Sequence, residues 1–478
     1  MKKIFTILLS ALFVCNLFAC DNNQQESSNV SGGLENSSSS LVENKPDPKP
    51  VETYGWNTEP VVSNVFYDDF ENGITSDKWT STDNGWGVNN NGVTSKNVMY
   101  STDKERVEAE DATGGIVILK TTGDYAEDKN KRRQGAVIIT RDDFGAGKYE
   151  ARVRVLPREG QCTALWTYWN GTPSATKLED SKYCEIDIEL PEKGDFRQMS
   201  GTTYEKYIDK KNMNQSSAKI NFEQKGMGDF SLNDGKWHTL AFEWRTAEND
   251  TGIIWYVDGQ AVLKHTTNIP VYTAPFWIGS HFPDLPAWIG VPNFDTAYMY
   301  VDWVRITEYD EPTIDESNGS AGEFTFTDLG SAEIPKTNYI TNGNFARGSE
   351  NSALAWEADL GSSIVRGISG YDSCLIVESG NRVYQNIDNK YKGHKVELKV
   401  KVKRTSGTGE VRVYLEEYYG GILPMQKSGM LSFKHPFAVE KNLVYTLENN
   451  KTDVLRVVIE TDIGTTAEVL SVELYEAK

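Results

Sequence analysis

Cysteine is scarce and badly placed for cross-linking. The 478-residue chain has five, and Cys15 and Cys20 fall within its first twenty residues. Cys162, Cys184 and Cys374 are too scattered for a disulfide framework, and no Cys/His group has metal-ligand spacing. Positive charge is also in deficit: 49 Lys and Arg stand against 69 Asp and Glu, a formal net charge of -20. Such a surface repels phosphate backbones and anionic membranes, so nucleic acid is not expected as a partner. After the first twenty residues, no apolar run is long enough to span a bilayer. Helical periodicity is missing too, with no amphipathic pattern longer than about two turns.

What is present begins with a leader. Lys2 and Lys3 precede an almost continuous apolar stretch, Ile4 to Phe18, which closes as Leu17-Phe18-Ala19-Cys20. The stretch is too short for a spanning helix and reads as a signal peptide over residues 1–20. It resembles the lipobox of bacterial lipoproteins, which implies acylation of Cys20. The expected location is therefore the bacterial cell envelope, with the exported chain lipid-anchored at the outer membrane and either leaflet open to the anchor. Residues 21–55 are rich in Asn, Ser, Gln, Glu and Pro, ending in Lys45-Pro46-Asp47-Pro48-Lys49-Pro50. Too little apolar surface exists there to offset ordering entropy, which predicts a flexible tether.

From 56 to 310 short apolar/polar alternations recur between Gly, Asn and Asp punctuation, as in Gly115–Thr121, Lys148–Leu156 and Gly252–Val257. Many strands without helical interludes predict an all-β fold, a large β-sandwich or jelly roll. Residues 311–335, rich in Glu, Asp, Ser, Gly and Pro, read as a linker. Residues 336–478 alternate again, for example at Val396–Lys403, and predict a smaller C-terminal β-sandwich. The aromatic content of 11% suits both wide sandwich cores and the flat faces of sugars.

One segment points to chemistry: Tyr183-Cys184-Glu185-Ile186-Asp187-Ile188-Glu189-Leu190. In a strand the isoleucines face one way and Glu185, Asp187 and Glu189 share the other face. Three like charges in a row repel, so a purely structural strand has little reason to keep them. Glycoside hydrolysis supplies a reason, because it needs one carboxylic acid for the leaving oxygen and one carboxylate as nucleophile or base. The Cα atoms of Glu185 and Glu189 would lie roughly 13 Å apart, and their side chains can converge over Asp187 if the sheet is concave. Spacing alone fits retention and inversion alike. The charge of Asp187 would help hold a proton on a neighbouring carboxyl.

Aromatic stretches surround this segment in a definite order. Upstream lies Cys162-Thr163-Ala164-Leu165-Trp166-Thr167-Tyr168-Trp169; downstream come Phe242-Glu243-Trp244, Trp255-Tyr256-Val257-Asp258-Gly259 and Tyr300-Val301-Asp302-Trp303-Val304. Over about residues 65–308 the set resembles glycoside hydrolase family 16, most closely its lichenase-like members. That resemblance implies a concave jelly roll, endo-action on a polysaccharide and a retaining mechanism. Glu185 would be the nucleophile, Glu189 the general acid/base, and Asp187 an assistant to the nucleophile. Trp166, Tyr168, Tyr204, His281 and Trp288 are implied as substrate-binding residues. Asp302 is implied as a ligand of a structural Ca2+, while the chemistry itself needs no cofactor. Trp244, Trp255 and Trp303 alternate inside apolar strands and are assigned to the core, and His238 to structure.

The expected substrate is mixed-linkage β-1,3/1,4-glucan or β-1,3-glucan. An endo-β-galactanase or other β-galactoside hydrolase is the alternative within the enzyme class, since the resembled family reaches those substrates by loop changes. The segment Ala136 to Thr140, where lichenases carry an arginine, is apolar here, and the loop Asn170 to Lys182 is long and polar. A non-catalytic glycan-binding lipoprotein is the alternative outside it, and a monomer is expected. In the last domain, Asn342-Gly343-Asn344-Phe345 followed by Trp356 resembles the opening of carbohydrate-binding-module sandwiches. Tyr418, Tyr419 and Gly420-Gly421 there form a candidate binding edge.

Overall fold

The computed structural model describes residues 54–477 apart from 85–90, 104–113, 124–132, 156–157, 192–195, 229, 284, 293, 371, 389–394, 419–422, 425 and 448–453. The leader, Cys20, most of the tether and the Tyr419–Gly421 tip therefore lie outside the described residues. The strands that frame the first domain are β1 (Val62–Asp68), β2 (Ile116–Thr122), β3 (Gln134–Thr140), β4 (Gly147–Arg154) and β5 (Cys162–Asn170). They continue with β6 (Tyr183–Leu190), β7 (Gln198–Asp209), β8 (Asn212–Asn221), β9 (His238–Arg245), β10 (Gly252–Val257) and β11 (Gln260–His265). After β12 (Phe276–His281) come a single helical turn, α1 (Pro286–Ile289), and the long β13 (Thr296–Tyr309).

Antiparallel pairing orders one sheet β3-β12-β5-β6-β7-β8. The facing sheet runs β11-β10-β9-β4-β13, and β13 pairs along its other edge with β1 and β2. Between them lies a core that includes Ile138, Leu165, Ile186, Ile188, Leu190, Met199, Phe242, Trp244, Trp255 and Ile278. Ile186 and Ile188 are fully buried. Each such side chain contributes about 1.5–3 kcal/mol of burial. A one-residue slip of β6 would exchange both for carboxylates, so the register of the acidic strand is strongly specified.

A close approach of the two sheets supports the same strand. Gly201, opposite Ile188, lies where an added Cβ would come within 2.6 Å of Leu263 and 3.0 Å of Trp255. The Trp255 indole crosses the core and donates to the Asp187 carbonyl at 2.8 Å. The three described cysteines are free, and pairing puts Cys184 opposite Trp169 and Cys162 opposite His281, far apart along the strands.

Two sequence expectations change. Trp303 is half-buried rather than in the core, because a register shift between Val301 and Trp303 reverses the alternation of β13. Val301, Val304 and Ile306 then face the core, while Trp303 lies outside against Tyr67 and Arg305. Residues 311–335 are not a free linker but a strap. Glu311 pairs with buried Arg245, Thr327–Asp328 pairs with Met99–Tyr100, and Phe326, Leu329 and Ile334 pack on the first domain. Composition alone conceals those few apolar anchors.

The second domain is a separate sandwich with its own core. One sheet is built around β14 (Arg382–Asp388), β16 (Val411–Tyr418) and β17 (Val454–Thr461), the other around β15 (Lys395–Ser406) and β18 (Thr466–Glu476). Its opening motif is a structural closure: Phe345 and Trp356 are buried in contact, and the Trp356 indole donates to the Asn342 carbonyl. Tyr418 is buried as well, donating to Glu416 beneath the Arg456 guanidinium.

Candidate active site

β6 presents Tyr183, Glu185, Asp187 and Glu189 on the face turned away from the core, because Cys184, Ile186, Ile188 and Leu190 occupy the core side. On an outward-curving surface those acids would be solvated. Instead Glu185 is 3% exposed, Asp187 1% and Glu189 3%. The face is therefore recessed, and cross-strand partners supply its walls. Tyr168 and Tyr204 stand opposite Glu185; Trp166 and Thr202 stand opposite Asp187; Ala164 and Ser200 stand opposite Glu189.

One strand further, Trp277 stands opposite Trp166, and their rings stack at 5.5 Å. Trp288 on α1 joins the same apolar cluster, with Val137, Ile139, Cys162, Ala164 and Ile289. His281 tilts against Trp166 at 5.9 Å. Burial pushes the His281 imidazole down to about 4, so it is neutral near pH 7 and acts as part of the wall. The structure thus gathers Trp166, Tyr168, Tyr204, His281 and Trp288 around the acidic strand. His238 lies elsewhere, held between Asp234 and Asp258 at 2.8 Å each, in a structural role.

Sequence reading missed three wall residues. Tyr183 carried a signal, since it sits two residues before Glu185 in the same alternation. Trp277 is legible only once β12 is paired to β5. Tyr207 was hidden because a register shift after Tyr204 brings two tyrosines three residues apart into contact with Tyr183.

Electrostatics separate the acids. Burial pushes Glu185 up to about 8, opposed by the Tyr183 hydroxyl, which donates to its Oε2. Asp187 is driven well above the carboxylate range, first by burial and then by the charges of Glu185 and Glu189. Among the described residues its Oδ2 has no hydrogen-bond donor. Three buried carboxyls this close cannot all ionise, and the one without a donor keeps its proton longest. Burial and the neighbouring charges thus favour the protonated form of Asp187, while the Tyr183 bond favours the anion of Glu185. Buried Tyr183 and Tyr204 are both pushed upward, so their hydroxyls stay neutral donors.

The Tyr183→Phe variant isolates this effect. With Glu185 as the ionised nucleophile that the resemblance implies, the lost bond to a charged group is expected to move the acid limb of a pH–rate profile up by about one pH unit. A pH–rate profile superimposable on that of the unmodified protein would contradict the assignment.

Asp302 does not fit the calcium role. It is fully buried at the β13 irregularity, and its Oδ2 accepts from the Arg152 guanidinium. The carboxylate already has a counter-charge where a hard cation would need to sit. Chelator or added Ca2+ is expected to leave the melting temperature within about 1 °C; a rise of several degrees with Ca2+ would place a cation in the fold.

Comparison with known proteins bears on this arrangement. Residues 78–298 match the model of glycosyl hydrolases family 16. A beta-glucanase of Brevibacillus brevis is 26% identical over 267 residues, which is 52% of this chain and 84% of that protein. A beta-glucanase of Bacillus amyloliquefaciens is 28% identical over 169 residues, 34% of this chain and 59% of that protein. Among solved structures, a β-1,3-1,4-glucanase (lichenase) derived from a mouse hindgut metagenome is 24% identical. Its TM-score is 0.38, covering 51% of this chain and 99% of that one.

Proposed function

We propose that this chain, whose residues 78–298 match the model of glycosyl hydrolases family 16, is a retaining endo-β-glucanase. Its substrate in this reading is mixed-linkage β-1,3/1,4-glucan or β-1,3-glucan. The observation that carries the proposal is the set of Glu185, Asp187 and Glu189, buried together on the recessed face of one strand between aromatic walls. A recess lined with Trp166, Trp277 and Trp288 suits the apolar faces of successive sugar rings. The beta-glucanase relatives add support for a glucan.

In the first step Glu189 gives its proton to the glycosidic oxygen as the bond from that oxygen to the anomeric carbon breaks. The Glu185 carboxylate attacks the same carbon from the opposite side and forms a glycosyl ester. Glu189, now a carboxylate, takes a proton from water. The resulting oxygen attacks the anomeric carbon, and Glu185 leaves as a free carboxylate. A protonated Asp187 beside Glu185 stabilises its negative charge before the attack and again as it leaves in the second step.

Reducing-end release from barley glucan, laminarin, galactan and agarose tests the substrate. Barley glucan or laminarin is expected to be cut at least about tenfold faster than the others, a preference of roughly 1.4 kcal/mol at the transition state. Faster cleavage of galactan or agarose would replace the substrate class and leave the catalytic residues standing. We also propose that acylated Cys20 anchors the enzyme in the cell envelope. The variant Cys20→Ala should lose both incorporated fatty acid and membrane association, and retention of label in that variant would contradict the anchor.

A further inference from the structure

The second domain touches the first at a place that matters for the recess. Following α1, the chain passes through Pro292 and Phe294 to Asp295. Asp295 accepts the backbone N–H of Asn342 at 2.9 Å and a bond from the Arg347 guanidinium, both from the second domain. Its own carbonyl accepts from Gly123 at 2.9 Å. Asn342 is fully buried at a φ of 53°, and its side chain bridges Arg347 and Leu354, so the donors aimed at Asp295 are themselves held.

A second contact reaches the entry to β5. Arg158, buried, stacks between Phe294 at 5.4 Å and Tyr339 at 5.5 Å. Two residues on, Gly160 donates to the Ile289 carbonyl, and an added Cβ there would lie 2.1 Å from the Pro292 nitrogen. Residues 158–160, α1, Pro292, Phe294 and Asp295 thus form one packed unit. That unit presents Trp288 and leads into the strand bearing Trp166. Elsewhere on the interface, Glu476 pairs with Arg154 and accepts from Tyr339.

We propose that the C-terminal sandwich is a buttress for the active-site wall, fixing the Trp288 turn through Asp295 and Arg158 and so setting how tightly a long glycan is held. This rests on the glucanase reading for its ligand but not for its geometry. Asp295 and Arg347 are partly exposed, so their ion pair adds little to stability. Its loss should register as movement of the wall rather than as a large drop in melting temperature.

The test uses full-length protein carrying Arg347→Ala, Arg347→Lys or Val457→Ala, the last loosening the second core without touching Asp295. In Arg347→Ala, hydrogen exchange across 285–295 is expected to speed up about tenfold while 183–190 stays protected. KM on the best polymer should rise about threefold to tenfold with kcat within about twofold, and lysine should restore part of both. Val457→Ala should lower the melting temperature and leave 285–295 protected. Unchanged exchange in Arg347→Ala, or equal loosening in Val457→Ala, would overturn the proposal. If no glycan is cleaved by the unmodified enzyme, the substrate reading fails and the exchange comparison still decides the buttress.

Discussion

Glu185→Ala is expected to lower kcat on glucan by roughly four to six orders of magnitude, the loss typical when a covalent nucleophile is removed. KM or direct glycan affinity should change little, because Trp166, Trp277 and Trp288 remain in place. The loss is large because no neighbour can take over. In the proposed mechanism Glu189 serves the leaving oxygen, and Asp187 is pushed well above the usual carboxylate range by burial and by both glutamates. Removing Glu185 also opens space beside the anomeric carbon. Added azide should enter it and, aided by Glu189, restore turnover with inversion, giving an α-glycosyl azide. Activity persisting near the normal level, or an azide product of retained configuration, would remove Glu185 from the nucleophile's place.

Glu189→Ala should show a different signature. General acid/base catalysis is worth about 10²- to 10⁴-fold, so polymer hydrolysis falls by that range. The deficit should nearly vanish in the first step for substrates whose leaving group is a good one, such as a dinitrophenolate, since it needs no proton. With such substrates the glycosyl ester on Glu185 should accumulate, because water then lacks its base. Azide should react with this ester and give a product of retained configuration. The opposite azide stereochemistry in the two variants separates the two glutamates, even though they lie on one strand and are equally buried. Equal loss for every leaving group would show that Glu189 acts structurally.

Much of this site is legible in the primary structure because β6 obeys a strict two-residue alternation, and the core cannot accept its acids in place of Ile186 and Ile188. The core assignment of Trp244 and Trp255 follows from the same rule, and both are fully buried. The rule fails at irregularities. One register shift turns Trp303 outward, and another puts Tyr207 beside Tyr183. Neither leaves a mark in composition or spacing.

Long-range pairing is hidden for a different reason. The Trp277–Trp166 stack needs the β12–β5 register, and the Asp295–Arg347 contact joins residues 52 apart across two domains. At Asp302, where the resemblance implied a calcium ligand, the carboxylate meets Arg152, 150 residues away. A motif identifies the type of a carboxylate but not the charge it will meet.

The most direct test of the account is to trap the intermediate. A 2-fluoro-β-glucoside with a dinitrophenolate leaving group, extended with further glucose units to fill the recess, slows the second step more than the first. Proteolysis and mass spectrometry then locate the attached sugar. The account predicts one adduct, on the side chain of Glu185. An adduct on Asp187 or Glu189, or steady hydrolysis of cleavable glucan by an enzyme that never acquires one, would contradict it.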